Sequence, residues 1–275
     1  MTTKAFVIGH PIAHSRSPLI HGTWLAEHGI DGSYEAIDVP PEALPEFFGR
    51  LRSGEFAGGN VTIPHKEAVF DLCDTVDPLA ETIGAVNTLV ARDGRVHGTN
   101  TDYLGFLGNL DAGRPGWSER VDRALVLGAG GAARAVIVAL DSRGIPILLL
   151  NRTRETADKL AAEIAGDITV GTLDALADAT PHVGLVVNTT SVGMHGTRFE
   201  GFNAAALRPS TLVTDIVYSP LVTPLLAEAR ARGLPTVDGL GMLLHQAVPG
   251  FEAWFGVRPS VTPALRARIE ATLEG

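Results

Sequence analysis

The sequence has one cysteine, Cys73, so no intramolecular disulfide can form and the fold must rest on packing and hydrogen bonds. That scarcity fits a reducing compartment, and Cys73 itself reads as a packed core residue on the apolar side of a helix. Positive charge is also short: 22 Lys and Arg face 31 Asp and Glu, a formal net charge of −9, with a pI near 5.4. A general nucleic-acid surface is thereby excluded, and any anion must be held by a local basic pocket. No uninterrupted apolar run approaches the ~20 residues of a membrane-spanning helix. The chain carries no low-complexity tract and no repeat of fixed period. Its first residues lead into a strand-like Ala5-Phe6-Val7-Ile8 without a basic-then-apolar leader pattern, so a cytoplasmic location is expected. No metal site is expected.

What is present is an ordinary globular composition, 45% hydrophobic and 19% charged over 275 residues, long enough for two domains. In the N-terminal part, Ala5 to Ile8 reads as a strand, followed by a helix with Ser17 as N-cap, Pro18 in its first turn and Gly29 beyond its end. Tyr34 to Val39 reads as a strand, and Leu44, Phe47, Phe48 and Leu51 give the i, i+3, i+4, i+7 spacing of a helix closed by Gly54. Asn60 to Ile63 reads as a third strand, ended by Pro64 and followed by a helix carrying Ala68, Val69, Leu72 and Cys73. Val86–Ala91 and Val96–Gly98 flank an Asp93-Gly94 turn, a hairpin signal. Further on, strands are expected at Ala124–Leu127, Pro146–Leu150, Ile168–Val170, Gly184–Asn188, Leu212–Ile216 and near Thr236, with helical patterns between most of them. One of those helices begins at Thr223-Pro224 and stops at Gly233. Such alternation predicts a doubly wound parallel sheet. The last segments, Leu240–Phe255 and Pro263–Leu273, are helical and are expected to return to the N-terminal domain.

A strand running into Gly128-Ala129-Gly130-Gly131-Ala132-Ala133 and then into a helix is the setting of a dinucleotide site. Gly128 permits the tight turn, Gly130 lets the backbone approach a pyrophosphate, and Ala133 keeps helix and strand close. NAD-binding folds usually place Asp or Glu about 20 residues further on, to accept from the ribose hydroxyls. This chain instead has Asn151-Arg152-Thr153-Arg154. An acid there would repel a 2′-phosphate, whereas the two arginines can grip it or stack on adenine and Thr153 can donate a hydrogen bond. NADP(H) is therefore the expected cofactor.

Polar clusters sit at the strand ends and loops of the N-terminal part: His14-Ser15-Arg16-Ser17, Asn60 to Lys66, Gly84 to Thr88 and Gly98 to Asp102. Each alone has a structural reading as a cap, a turn or a surface lysine. Together with GAGGAARA, NRT, NTTSVGM, DIVYSPLVTPLL and DGLGMLLHQA, the strings GHPIAHSRSP, NVTIPHK, GAVNT and GTNTD resemble the shikimate dehydrogenases, including their quinate-using relatives. The resemblance runs in order from about residue 5 to 256. It implies an α/β substrate-binding domain over residues 1–102 and 239–275, and a Rossmann-like NADP-binding domain over 103–238.

The resemblance also implies Lys66 and Asp102 as the catalytic pair. A lysine suits donating a proton to the oxyanion that forms as hydride reaches a ketone, and a neighbouring carboxylate positions it. Ser15, Ser17, Thr62, Asn87 and Gln246, with the catalytic pair, would meet the substrate, because a polyol needs matched donors and acceptors, and Tyr218 would reach its carboxylate. On the cofactor side, Gly128, Ala129, Gly130, Gly131 and Ala132 would hold the pyrophosphate, and Asn151, Arg152, Thr153 and Arg154 the adenosine end. Thr190, Ser191 and Met194, with Ile216, Gly239 and Met242, would bracket the nicotinamide.

The expected reaction is the NADP-dependent reduction of 3-dehydroshikimate to shikimate, by a monomer or homodimer. Two positions depart from the family pattern: Gly22 stands where Asn is common, and Thr156 where a second basic residue is common. A quinate or dual-specificity enzyme is the nearest alternative, although serine at both Ser15 and Ser17 resembles the shikimate-preferring members. A non-catalytic metabolite sensor is the alternative of another class, and retention of Lys66 and Asp102 argues against it.

Overall fold

The computed structural model describes residues 2–164 and 166–273. Along the chain run β1 (Thr3–Gly9), α1 (Ser17–Glu27), β2 (Gly32–Asp38), α2 (Leu44–Arg52), β3 (Gly58–Val61), β4 (Thr75–Val76), α3 (Pro78–Ile83), β5 (Thr88–Arg92) and β6 (Arg95–Thr99). After them come α4 (Asp102–Gly113), β7 (Ala124–Leu127), α5 (Gly131–Asp141), β8 (Ile147–Asn151), α6 (Arg154–Glu163), β9 (Ile168–Thr172), α7 (Leu176–Ala179) and β10 (Leu185–Asn188). The chain finishes with β11 (Leu212–Asp215), α8 (Pro224–Ala231), β12 (Thr236–Val237), α9 (Leu240–Phe255) and α10 (Pro263–Glu270). It divides into two compact units, Met1–Asp102 with Leu244–Ala271, and Tyr103–Leu243 with Thr272–Gly275. The second division falls inside α9, a few residues past Gly239. Among the described residues no helix is long and apolar enough to cross a membrane.

In the first unit the period-2 alternation of β1 sorts its side chains onto two faces. Phe6 and Ile8 join Phe47, Phe48 and Leu51 of α2 in one core, where Phe6 meets Phe47 edge-on at 4.8 Å between ring centroids. Ala5 and Val7 face the other way, onto Tyr34 and Trp254 of α9. The indole of Trp254 lies over Gly58, where an added Cβ would come within 2.4 Å of its ring nitrogen. That nitrogen donates to the Leu89 carbonyl at 2.8 Å. Trp24 of α1 likewise donates to Ser260 at 3.2 Å, just before α10. The C-terminal segment Leu244–Ala271 thus belongs to the first unit.

The sheet of this unit has the order β2-β1-β3-β5-β6-β4. β1 is parallel to β2 and β3, while β3–β5 and β5–β6 are antiparallel. The predicted hairpin closes through Asp93 and Gly94 at φ of 52° and 74°, the two left-handed positions of a type I′ turn.

Two local expectations differ from the structure. Ser17 is inside α1 and Arg16 holds the N-cap position without a side-chain cap; the Ser17 N–H is taken by the Ser15 hydroxyl at 3.3 Å. The segment bearing Ala68 to Cys73 is a run of turns, not a helix. Its ends are pulled elsewhere: the His65 imidazole meets the Val39 carbonyl at 2.7 Å, and Arg52 takes the Leu72 carbonyl at 2.8 Å. Val69 is buried and Leu72 and Cys73 half-buried against the same core, so the apolar pattern is satisfied without helical continuity. Burial, with Asp74 alongside, pushes the Cys73 thiol up to about 12.

The second unit carries a wholly parallel sheet in the order β12-β11-β10-β7-β8-β9. Counted from β7, this is the doubly wound order 3-2-1-4-5-6, whose direction of growth reverses between β7 and β10. Both central strands are buried along their whole length, which explains their unbroken apolar runs. Thr223 caps α8, its hydroxyl accepting from the Leu226 N–H, and Pro224 follows it.

His21 of α1 is fully buried between aromatic rings. It stacks on Tyr34 at 3.9 Å between centroids, with Trp24, Phe251 and Trp254 around it. Among the described residues neither ring nitrogen has a partner in good hydrogen-bond geometry, although the Asn60 side chain lies near. Burial lowers its pKa to about 3, which the neighbouring Asn60 side chain opposes only weakly. Because the folded value lies below the unfolded one, stability from neutral His21 is complete above about pH 6.5 and is lost as pH falls toward the folded value. His21→Phe is expected to flatten the fall in unfolding free energy between pH 6.5 and 4, measured by urea titration; a slope identical to wild type refutes the assignment.

Candidate functional site

Strand register assembles the polar cluster of the first unit. β3 pairs Asn60 with Thr88, and β5 pairs Thr88 with Thr99, so the motif residues at three strand ends lie side by side. Lys66 sits on the turn after Pro64, its carbonyl held by the Val86 N–H at 2.8 Å. Asp102 opens α4, where the helix dipole favours a carboxylate. The Lys66 ammonium contacts one Asp102 oxygen, and the two side chains are only 15% and 8% exposed. The other Asp102 oxygen accepts from the Asn87 amide at 2.8 Å.

The Asn87 carbonyl oxygen in turn accepts from the Thr101 N–H at 2.7 Å and the Thr88 hydroxyl at 2.9 Å. Gln246 reaches the cluster from α9, with its Oε1 3.4 Å from the Thr101 hydroxyl and 3.5 Å from the Asn87 amide nitrogen. Lys66, Asn87, Asp102 and Gln246 are therefore one hydrogen-bonded group. Ser15 lies on the β1–α1 connection, Ser17 opens α1, and Thr62 follows β3, beside Gly9. Tyr218 belongs to the second unit, following β11.

Sequence reasoning assigns no part in this cluster to Tyr34, Asn60, Thr88 or Thr101. The Tyr34 hydroxyl donates to Asn60 Oδ1 at 2.7 Å, and Asn60 donates onward to Thr88 at 3.1 Å. Three of the four lie inside the quoted motifs, which is the available signal; Tyr34 lies outside them.

In the second unit the nucleotide candidates occupy the C-terminal ends of parallel strands, where open α/β sheets bind ligands. Gly128 follows β7 with φ of 103°, and a Cβ there would stand 2.5 Å from Thr190 on the loop after β10. Gly130 is the N-cap of α5 with no side-chain cap, and nothing lies within 4 Å of where its Cβ would be. That leaves the first-turn N–H groups open to an anion. Ala129 is buried, while Gly131 and Ala132 begin α5. At the end of β8, Asn151 donates to the Thr153 carbonyl at 2.8 Å, Thr153 holds the N-cap position of α6 without a side-chain cap, and Arg152 is exposed. Arg154 instead pairs with Asp158 at 3.4 Å. These residues fit a phosphorylated dinucleotide. Among the described residues no cluster of His, Cys, Asp or Glu is placed to hold a metal.

The loop after β10 is tied down from beneath. Asn188 accepts from the Thr190 N–H and hydroxyl at 2.9 and 2.8 Å, and donates to the Val192 carbonyl at 2.8 Å and to Asp215 at 2.9 Å. Thr190, Ser191 and Met194 are carried on this loop, and Met194 is exposed. Gly239, after β12, allows no side chain, because a Cβ would stand 2.5 Å from the Ile216 carbonyl oxygen. Ile216 is half-buried and Met242 buried.

Asp215 also accepts from the Val217 N–H at 2.9 Å and the Thr223 hydroxyl at 2.7 Å. Burial still raises its pKa, outweighing the hydrogen bonds from Thr223, Val217 and Asn188. A carboxyl with a raised folded pKa contributes stability below its unfolded value and loses it as pH rises through the folded value. Asp215→Asn removes the charge, keeps one acceptor oxygen for Asn188 and Val217, and presents an N–H donor to the Thr223 hydroxyl in place of the other. This variant is expected to unfold at or above the wild-type temperature at pH 7, with the difference vanishing near pH 4. A large loss at pH 7 would show that the ionised carboxylate is needed.

Family models match in chain order: the shikimate dehydrogenase substrate binding domain over residues 7–89, shikimate / quinate 5-dehydrogenase over 117–242, and the shikimate 5′-dehydrogenase C-terminal domain over 239–267. A shikimate dehydrogenase (NADP(+)) of Methylobacterium radiotolerans is 59% identical over 278 residues, covering 100% of this chain and 99% of that protein. The crystal structure of shikimate 5-dehydrogenase from Thermus thermophilus, in complex with NADP(H) and shikimate, aligns with a TM-score of 0.87 at 39% identity over 99% of this chain and 100% of that one. A quinate dehydrogenase from Corynebacterium glutamicum in complex with NAD aligns with a TM-score of 0.90 at 30% identity, over 98% and 99% of the two chains. The glycine turn at the sheet's switch point, the Lys66–Asp102 pair and these full-length likenesses agree: the chain belongs to the shikimate dehydrogenase family.

Proposed function

We propose that this protein catalyses the reversible NADP-dependent reduction of 3-dehydroshikimate to shikimate, in the cytoplasm, on the route to chorismate and the aromatic amino acids. The observation that carries the reading is the largely buried Lys66–Asp102 contact, braced by Asn87 and joined by Gln246. The substrate groups other than Tyr218 lie in the first unit, and the nucleotide groups in the second.

When bound, the nicotinamide cofactor supplies the hydride. Lys66 Nζ delivers the proton to the substrate oxygen, and in the oxidation direction takes it back. Asp102 accepts only, from Lys66 and from Asn87, so it holds the ammonium in place. Asn87, Gln246, Ser15, Ser17 and Thr62 offer the mixed donors and acceptors that a ring bearing several hydroxyls requires. Arg152, which makes no ion pair among the described residues, meets the 2′-phosphate; Arg154 has Asp158 to satisfy it. The high identity to an NADP(+)-named relative and the paired serines favour shikimate and NADP over quinate and NAD.

Initial rates over shikimate, quinate, NADP+ and NAD+ test the assignment: shikimate with NADP+ is expected to give the highest kcat/KM, and faster quinate oxidation with NAD+ overturns it. Lys66→Ala should lower kcat by about 10²–10⁴-fold, the range for a general acid, with NADPH affinity unchanged. Arg152→Ala should weaken NADPH binding by about 10-fold or more through loss of a charge-assisted hydrogen bond, with little effect on NADH. Equal losses for the two nucleotides would remove the phosphate role.

A further inference from the structure

The two ends of a carboxamide have nearly the same shape, so only their hydrogen-bond partners decide which end faces a ligand. Two such side chains, Asn87 and Gln246, stand in the site described above. Their partners lie in a buried group of residues to which the proposed chemistry gives no part.

The directions of the hydrogen bonds follow one from another. Tyr34 O–H donates to Asn60 Oδ1 at 2.7 Å, which turns the Asn60 nitrogen the other way, toward Thr88 Oγ1 at 3.1 Å and the Asn87 carbonyl at 3.3 Å. Thr88 Oγ1 thus accepts from Asn60 on one lone pair, its single proton goes to Asn87 Oδ1 at 2.9 Å, and its second lone pair faces the Thr101 hydroxyl at 3.1 Å. With the Thr101 N–H at 2.7 Å, that makes two donors on the Asn87 oxygen. Both of its lone pairs are then filled. The Thr101 hydroxyl stands 3.1 Å from the same oxygen, 3.1 Å from Thr88 Oγ1 and 3.4 Å from Gln246 Oε1. Asn87 is left with its nitrogen on Asp102. Asn60, Asn87, Thr88 and Thr101 are all buried, so water does not compete for these protons.

We propose that Thr88 is a positioning residue: its hydroxyl, directed by Tyr34 through Asn60, fixes the orientation of the Asn87 amide against Asp102. This rests on the reading of Asn87 and Asp102 as substrate-facing groups. The relay acts on how the site greets its substrate, not on the nucleotide.

The test compares Thr88→Val, which keeps the shape and removes the hydroxyl, with Thr88→Ser, which restores it, and with Tyr34→Phe. Thr88→Val is expected to lower kcat/KM for shikimate by about 10- to 100-fold, as befits buried polar partners left unmatched, with KM for NADP+ within about 2-fold. Thr88→Ser should recover activity to within about 3-fold of wild type, and Tyr34→Phe should lose about 3- to 10-fold. In an Asn87→Ala background Thr88→Val should cost less than about 2-fold more, because a residue acting through Asn87 has nothing left to position. Full additivity in that cycle, or wild-type kinetics in Thr88→Val, overturns the proposal. Should Thr88→Val fail to fold, Tyr34→Phe decides: unchanged kcat/KM overturns the relay. Hydrogen exchange of the Asn87 side-chain NH₂, followed by NMR, reads the orientation without turnover. Faster exchange in Thr88→Val or Tyr34→Phe supports the relay and unchanged exchange refutes it, even if wild-type protein turns over no shikimate and the functional reading alone has failed.

Discussion

Holding an ammonium and a carboxylate together with little access to water is the constraint around which the first unit is organised. Desolvating both groups is costly unless the protein replaces the lost hydration with well-aimed dipoles. Here the Asp102 carboxylate has the Lys66 ammonium on one oxygen, the Asn87 amide on the other, and the start of α4 behind it. The Asn87 amide is itself held by Thr88 and Thr101. Lys66, Asn87 with Thr88, and Thr101 with Asp102 come from three different strand ends or turns, so the pair depends on β3, β5 and β6 keeping their register. A slip of one residue would turn every side chain of a strand to its other face.

The second unit meets its own constraint in a different way. Glycine at Gly128 and Gly239 lets the chain pass where a Cβ would strike Thr190 or the Ile216 carbonyl, while the space beside Gly130 at the start of α5 is open. The loop after β10 needs rigidity instead, and Asn188 and Asp215 supply it from within the sheet. Burying Asp215 and His21 leaves two groups whose charging opposes folding, one as pH rises and the other as it falls. Their opposite signs partly cancel in the pH dependence of the whole chain.

Much of this is legible in the sequence where local chemistry dominates. The strand–glycine–helix of β7 and α5, the Asp93-Gly94 hairpin, the four-position apolar face of α2 and the Thr223-Pro224 start of α8 all rest on contacts within a few residues. The segment after Lys66 misleads because its apolar spacing suits a helix, while the forces that unwind it come from Val39 and Arg52, far off in the chain. Ser17 misleads as a cap because Ser15, two residues earlier, takes its N–H. The motif strings point to the site residues by resemblance. The links from Tyr34 to Asn60 and from Asn60 to Thr88 do not show, since they join residues 26 and 28 positions apart through strand register alone.

The lone thiol turns this misleading segment into something measurable. Cys73 sits on the same run of turns that begins beside Lys66, half-covered by the core and held in its protonated, unreactive form. A thiol-specific label can attach quickly only when that stretch swings open, and with no second cysteine to compete, the labelling rate is a clock for the breathing of the strip of chain that carries the lysine.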